Sequence, residues 1–166
     1  MKVLYGDKSI WDVPSDMYVI TAPGALNDKG GLILQRDTAR QAVRRFPELP
    51  MLAGDYIRSH PLEQSIRRDE LCYLYGFMYF DHPEWPIGIF QVRMHYYGQN
   101  NMGCIMESSE KLNEFLNQKP QDFVASMSQI RRGEKMVRET IYPIMEGIIT
   151  ANQLTVYNVS WREYNY

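Results

Sequence analysis

Cysteine is scarce in this sequence: Cys72 and Cys104 are the two among 166 residues, with no Cys-Xaa-Xaa-Cys pair. A secreted scaffold held by disulfides carries more, so two free thiols in a reducing compartment are expected. The three histidines, His60, His82 and His95, are scattered, without the paired spacing of a zinc site, and neither a metal nor another cofactor is expected. No charge sign dominates, since 18 Lys and Arg stand against 20 Asp and Glu for a net charge of -2. That balance excludes a broad nucleic-acid-binding surface but is compatible with a local basic pocket. The N-terminal MKVLYGD has no apolar signal core, and no run approaches the roughly 18 apolar residues of a membrane helix. A soluble, cytoplasmic protein with no membrane partner is expected. A Gly-Xaa-Ser-Xaa-Gly elbow and a Gly-Lys-Ser/Thr phosphate loop are missing too, which removes two common routes to hydrolase and nucleotide chemistry. Repeats and low-complexity linkers are also absent. With 45% hydrophobic residues, positions 1–166 are expected to form one domain with a substantial core.

What is present is concentrated in residues 19–50, VITAPGALNDKGGLILQRDTARQAVRRFPELP. An apolar strand runs into a loop with Gly24, Gly30 and Gly31, and then into a helix over 36–46 that ends at Phe46-Pro47. This is how α/β folds build nucleotide sites: a strand delivers a loop to a helix N-terminus, where unpaired N–H groups and the helix dipole attract phosphate. Ala39, Ala42, Val43 and Phe46 share one face of that helix, as on a surface helix packed against a sheet.

Strand and helix signals alternate along the rest of the chain. Residues 2–5, 18–20, 71–80, 87–94, 123–126 and 154–159 read as strands, the third and fourth joined as a hairpin through Asp81-His82-Pro83-Glu84-Trp85-Pro86. Residues 52–57 read as a short helix and 136–149 as a longer one. Another helix uses Leu112, Phe115 and Leu116, with Ser108 or Ser109 expected as its cap. The alternation predicts an α/β fold of three layers, α/β/α, around a mixed, mostly parallel central sheet. In such sheets ligands sit beyond the carboxyl ends of the strands.

Three segments resemble the macro domain family, which binds ADP-ribose and related nucleotides, and in particular its bacterial and phage branch. Gly6-Asp7-Lys8-Ser9-Ile10 is similar to that family's Gly-Asp-Ile-type segment, in which the Asp accepts a hydrogen bond from the adenine amine. Phe90-Gln91-Val92-Arg93-Met94-His95-Tyr96-Tyr97 resembles its Phe-Pro-Val-Lys-His-His-Trp-Trp strand. Ile141-Tyr142-Pro143-Ile144-Met145-Glu146 resembles the helix that follows its glycine-rich phosphate loop. Two signatures are altered. The first-strand Pro-Thr-Asn-Gly reads Thr21-Ala22-Pro23-Gly24, and the Met-Gly-Xaa-Gly before the helix reads Leu34-Gln35-Arg36-Asp37.

The resemblance implies a ligand site formed by Asp7, Ser9, Ile10, Gly24, Gly30, Gly31, Gln35, Arg36, Arg93, Arg131, Arg132 and Gly133. Asp37, next to Thr38, is an expected helix cap whose carboxylate would repel a second anion. Some relatives use a Lys at the position of Arg93 as a covalent nucleophile toward ribose. A guanidinium offers no lone pair for that role but pairs well with phosphate. Of the phosphate-loop glycines only Gly133 is kept, and Arg131, Arg132 and Lys135 are candidates to replace backbone amides with cations, or else form an ordinary solvated loop. Binding of ADP-ribose or a related adenine nucleotide is the expected function. Two alternatives stand beside it: an ADP-ribose hydrolase relying on Glu134, His95 or Asp28, and a scaffold acting through an unknown protein partner.

Overall fold

Seven consecutive residues explain the centre of the molecule. In β2 (Met17–Pro23, after β1 at Lys2–Gly6) all but Thr21 are buried, the pattern of a strand covered on both faces. Met17 and Val19 point into one core while Tyr18, Ile20 and Ala22 point into another, as the two-residue period of a strand requires. The computed structural model describes residues 1–67 and 70–159. It continues through α1 (Asp37–Arg45), α2 (Leu49–Ser59), β3 (Glu63–Arg67), β4 (Glu70–Leu74), β5 (Phe77–Phe80), β6 (Ile87–Arg93), α3 (Met102–Asn117) and β7 (Ala125–Ser128). A last helical segment and β8 (Leu154–Val159) complete it.

Among the described residues six strands form one sheet in the order β1-β8-β7-β2-β6-β5, every neighbour parallel except the β5–β6 hairpin. Ala39, Ala42, Phe46, Leu49, Ala53 and Ile57 of the α1–α2 region cover one face. Ile105, Leu112 and Leu116 of α3, with Tyr142 and Met145 of the last helix, cover the other. These are the three layers and the mixed, mostly parallel sheet expected from the alternation of elements. Among the described residues no helix is long and apolar enough to cross a membrane.

Four local expectations are corrected. Residues 71–80 are not one strand: the chain breaks at Tyr75-Gly76, where Gly76 adopts φ 77°, a conformation glycine tolerates at no steric cost. β4 then pairs antiparallel with β3 in a separate ribbon, and only β5 joins the main sheet. Secondly, α3 begins at Met102, where the Asn101 side chain accepts from the Cys104 N–H at 3.0 Å. Ser108 and Ser109 are buried mid-helix, their hydroxyls donating to the Cys104 and Ile105 carbonyls, a bond that removes their need for a terminal position. Thirdly, the second helix starts earlier than expected, with Pro50 in its first turn, where no N–H is needed. Finally, the continuous helix over 136–149 is three pieces: α4 (Glu134–Met136), a π-helical turn over Val137–Ile141, and α5 (Tyr142–Ile148). Pro143 stands in the first turn of α5 and has no N–H to give the preceding helix, so the wider turn forms ahead of it.

Candidate functional site

The carboxyl ends of the central strands open on a cavity of about 320 Å³, within the range of about 300–1,000 Å³ usual for small-molecule sites. Thr21 and Pro23 of β2, Val92 and Arg93 of β6, and Asn158 and Val159 of β8 contribute to its lining. The loop into α1 adds Gln35, Arg36 and Asp37, and the loop after β7 adds Gln129 to Glu134. The register of β2 against β6 shifts between Ala22 and Pro23, so that Pro23 pairs with Arg93. Gly24 N–H takes up the Arg93 carbonyl at 2.9 Å in place of the donor that proline lacks.

Among the described residues five arginines line this cleft, Arg36, Arg93, Arg131, Arg132 and Arg138, against two acids, Asp37 and Glu134. Burial, followed by the nearby Arg132 and Arg36 guanidiniums, pushes Arg93 down to about 10. Burial and then Arg36 lower Arg132 as well. Both stay charged at neutral pH. The Arg93 Nε is buried with no hydrogen-bond partner among the described residues, which costs free energy until an acceptor arrives. A cleft that crowds desolvated cations is complementary to an anion.

The cations are held in place by Tyr96 at the cleft and by the segment that follows it. Arg132 donates to the Gly98 carbonyl and, at 3.4 Å, to the Tyr96 carbonyl. Arg36 Nε donates to the Tyr96 hydroxyl at 3.1 Å. Asn100 Nδ2 donates to both the Arg131 and Arg132 carbonyls, at 2.6 and 2.9 Å, tying the loop after β7 to the segment after β6. Beneath them the Tyr142 hydroxyl accepts from the Ile130 N–H at 3.2 Å and donates to Asn158 at 3.0 Å.

Asp37 does not cap α1. It is the first helical residue, at φ 50°, and its carboxylate lies 3.4 Å from Arg131 Nε. The residue that stands where the resembled motif ends in glycine thus keeps a glycine-like backbone. Its removal therefore costs no helix cap. In Asp37→Gly, relief of a left-handed conformation worth about 1 kcal/mol offsets a partly exposed ion pair worth about 0–1 kcal/mol. Stability is therefore expected to stay within about 1 kcal/mol of the parent in urea unfolding. Phosphate-bearing ligands are expected to bind about tenfold more tightly, because a negative charge leaves the helix N-terminus. Weaker binding by calorimetry would overturn this account of Asp37.

The other expected site residues divide between the cleft and the scaffold. Gln35, Arg36, Arg93, Arg131, Arg132, Gly133 and Glu134 meet in the cleft, Gly133 at φ 77°. Lys135 is exposed beside it. Asp7 follows Gly6, whose register partner is the cleft residue Val159, so it lies just past the cleft's edge. Ser9 caps the short turn at Ile10–Asp12, accepting from the Trp11 N–H, and Ile10 is core. Gly24 packs against the Tyr73 carbonyl, Gly30 against Arg58, and Gly31 against α2 near Met51. These three glycines allow close packing of the chain away from the cleft. His95 and Asp28 line a second cavity of about 540 Å³, which shares Ile33, Gln35 and Tyr96 with the first.

The sequence reading missed Thr21, Tyr96, Arg138 and Asn158. Strand-end position could have found Thr21 and Asn158, and the aromatic pair after His95 pointed toward Tyr96. Arg138 carries no such signal: it reaches the cleft through the π-helical turn, lying 5.1 Å from the Tyr5 ring.

No family model and no curated protein matches this sequence. Solved structures do match its fold. The macrodomain of Thermus aquaticus DarG superposes with a TM-score of 0.66 at 12% identity, covering 95% of this chain and 97% of that one. The macrodomain of Mycobacterium tuberculosis DarG gives 0.67 at 12% identity, covering 95% and 98%. A macrodomain protein from Streptomyces coelicolor gives 0.61 at 12% identity, covering 95% and 99%. The chain has the macrodomain fold.

Proposed function

We propose that this macrodomain fold binds ADP-ribose or a related adenine nucleotide, gripping the pyrophosphate with arginine side chains rather than with a glycine-rich loop. The observation that carries the reading is Arg93, a half-buried cation beside Arg36 and Arg132 whose buried Nε has no acceptor among the described residues. A pyrophosphate supplies acceptor oxygens and neutralises the mutual repulsion of the guanidiniums. The cavity lies at the carboxyl ends of parallel strands, where nucleotides sit in open α/β sheets.

Adenine recognition falls to Asp7, past the β1 and β8 side of the cleft. A carboxylate only accepts hydrogen bonds and so selects an exocyclic amine. Asp7 is exposed, and Asn would retain one acceptor, so Asp7→Asn is expected to weaken ADP-ribose by about tenfold, the low end for a charge-assisted bond. The inosine analogue, with a carbonyl in place of the amine, is expected to bind the parent poorly. Calorimetric titration checks both. Equal affinity of the two nucleotides would remove Asp7 from the site, and no heat with ADP-ribose at millimolar concentration would leave the protein-contact scaffold as the better reading.

Glu134 on the cleft wall favours a second reading, hydrolysis of an ADP-ribosyl bond with that carboxylate activating water. Turnover of an ADP-ribosylated protein that Glu134→Gln abolishes would support it. His95 lines the other cavity and is not the partner such a mechanism would draw on.

A further inference from the structure

We infer that Glu70, Cys72 and His95 form a binding site for a zinc ion, separate from the arginine cleft. One donor atom from each lies within 4.8 Å of the others. Cys72 Sγ is 2.9 Å from His95 Nδ1, and the same nitrogen is 3.8 Å from a Glu70 carboxylate oxygen. Bonds of about 2.0–2.3 Å in a tetrahedron place ligand atoms about 3.3–3.8 Å apart. The Sγ and Nδ1 atoms reach that spacing by separating less than 1 Å or so, which a rotation of His95 supplies, and a rotation of the partly exposed Glu70 side chain brings its carboxylate to the same distance from the thiol.

Thiolate, imidazole and carboxylate are the donors zinc favours, and the anionic pair balances the charge of the ion. The scaffold fixes two of the three. Cys72 is fully buried and bridges Ala25 across the chain. Glu70 accepts from the Tyr96 N–H at 3.2 Å through its other oxygen, the kind of outer contact that orients a ligand. Glu70 and His95 each keep 19% side-chain exposure, and both line the 540 Å³ cavity. Three protein ligands leave a fourth position on that side, open to water or to an oxygen of a bound molecule. The site stands whether or not the cleft takes a nucleotide.

The full chain, stripped by chelator and dialysed, is titrated with Zn²⁺ against a chromophoric competitor. One ion per chain is expected, with a rise in melting temperature. Co²⁺ in its place is expected to show a thiolate-to-metal absorption band. Cys72→Ser, His95→Gln and Glu70→Gln are each expected to weaken zinc by at least about a hundredfold, the upper end of what loss of an outer-shell partner costs. Cys104→Ser, in α3 and outside the cluster, is expected to bind as the parent does. Zinc uptake that survives substitution of Cys72 and His95 overturns the proposal. Where a variant at these positions fails to fold, the parent decides alone: cobalt binding without a thiolate band, or no stoichiometric zinc, overturns it equally.

Discussion

Gln91→Leu is expected to destabilise the fold by about 3–6 kcal/mol, although leucine fits the space of glutamine closely. Gln91 is fully buried in β6. Its side-chain oxygen accepts from the Tyr75 and Gly76 N–H groups at 2.8 and 2.9 Å. Its amide donates to the Tyr73 and Arg93 carbonyls at 2.8 and 3.1 Å. One side chain thus satisfies the backbone where the chain leaves the β3–β4 ribbon and turns into β5. The Arg93 carbonyl keeps the Gly24 N–H, so the substitution strips Gln91's bonds from two N–H groups and the Tyr73 carbonyl, each costing about 1–3 kcal/mol when left unpaired. Against a total stability of about 5–15 kcal/mol the loss is large. Urea unfolding with an unchanged slope and a lowered midpoint is the expected result. A shift under about 1 kcal/mol would mean that water or a local shift repairs the turn.

Arg93→Met is expected to weaken ADP-ribose by about a hundredfold, the cost of one charge-assisted contact at the desolvated end of its range. Adenosine, which has no phosphate, is expected to lose almost nothing. The same change is expected to raise the unfolding midpoint, because the parent folds against a cation that burial, Arg132 and Arg36 all disfavour. Methionine fills much of the stem's volume and carries no charge. Opposite signs in binding and stability would identify Arg93 as a residue kept for its ligand at the expense of the fold. If ADP-ribose affinity is unchanged, the pyrophosphate does not sit on Arg93 and the proposed binding mode fails.

The sheet was readable because its strands are apolar on both faces: β2 and β6 announce themselves through runs such as Met17-Tyr18-Val19-Ile20 and Ile87-Gly88-Ile89-Phe90. The break at Gly76 was not, since Tyr73, Tyr75, Phe77 and Tyr79 look like one continuous strand and the turn is fixed by Gln91 from elsewhere in the chain. In the same way, Gln91, Arg93 and His95 read as three polar neighbours on one strand face. Folding sends them to a buried backbone junction, the arginine cleft and the second cavity. Arg93, Arg131 and Arg132 were legible through their places in resembled motifs. The meeting of His95 with Cys72 was not, because it depends on where the β3–β4 ribbon folds back, which no local pattern encodes.

The π-helical turn over Val137–Ile141 buffers the cleft wall against a change in chain length. A helix advances by about 100° per residue, and the wide turn absorbs one more residue than an α-helical turn would. Tyr142 and Met145 beyond it are locked in the core. With one residue fewer at Glu139 or Thr140 the turn would close as an ordinary α-helical one, and Arg138 and Glu134 would keep their places on the cleft wall. Homologues of this chain that differ by a single-residue gap there would therefore present the same wall to the same strands.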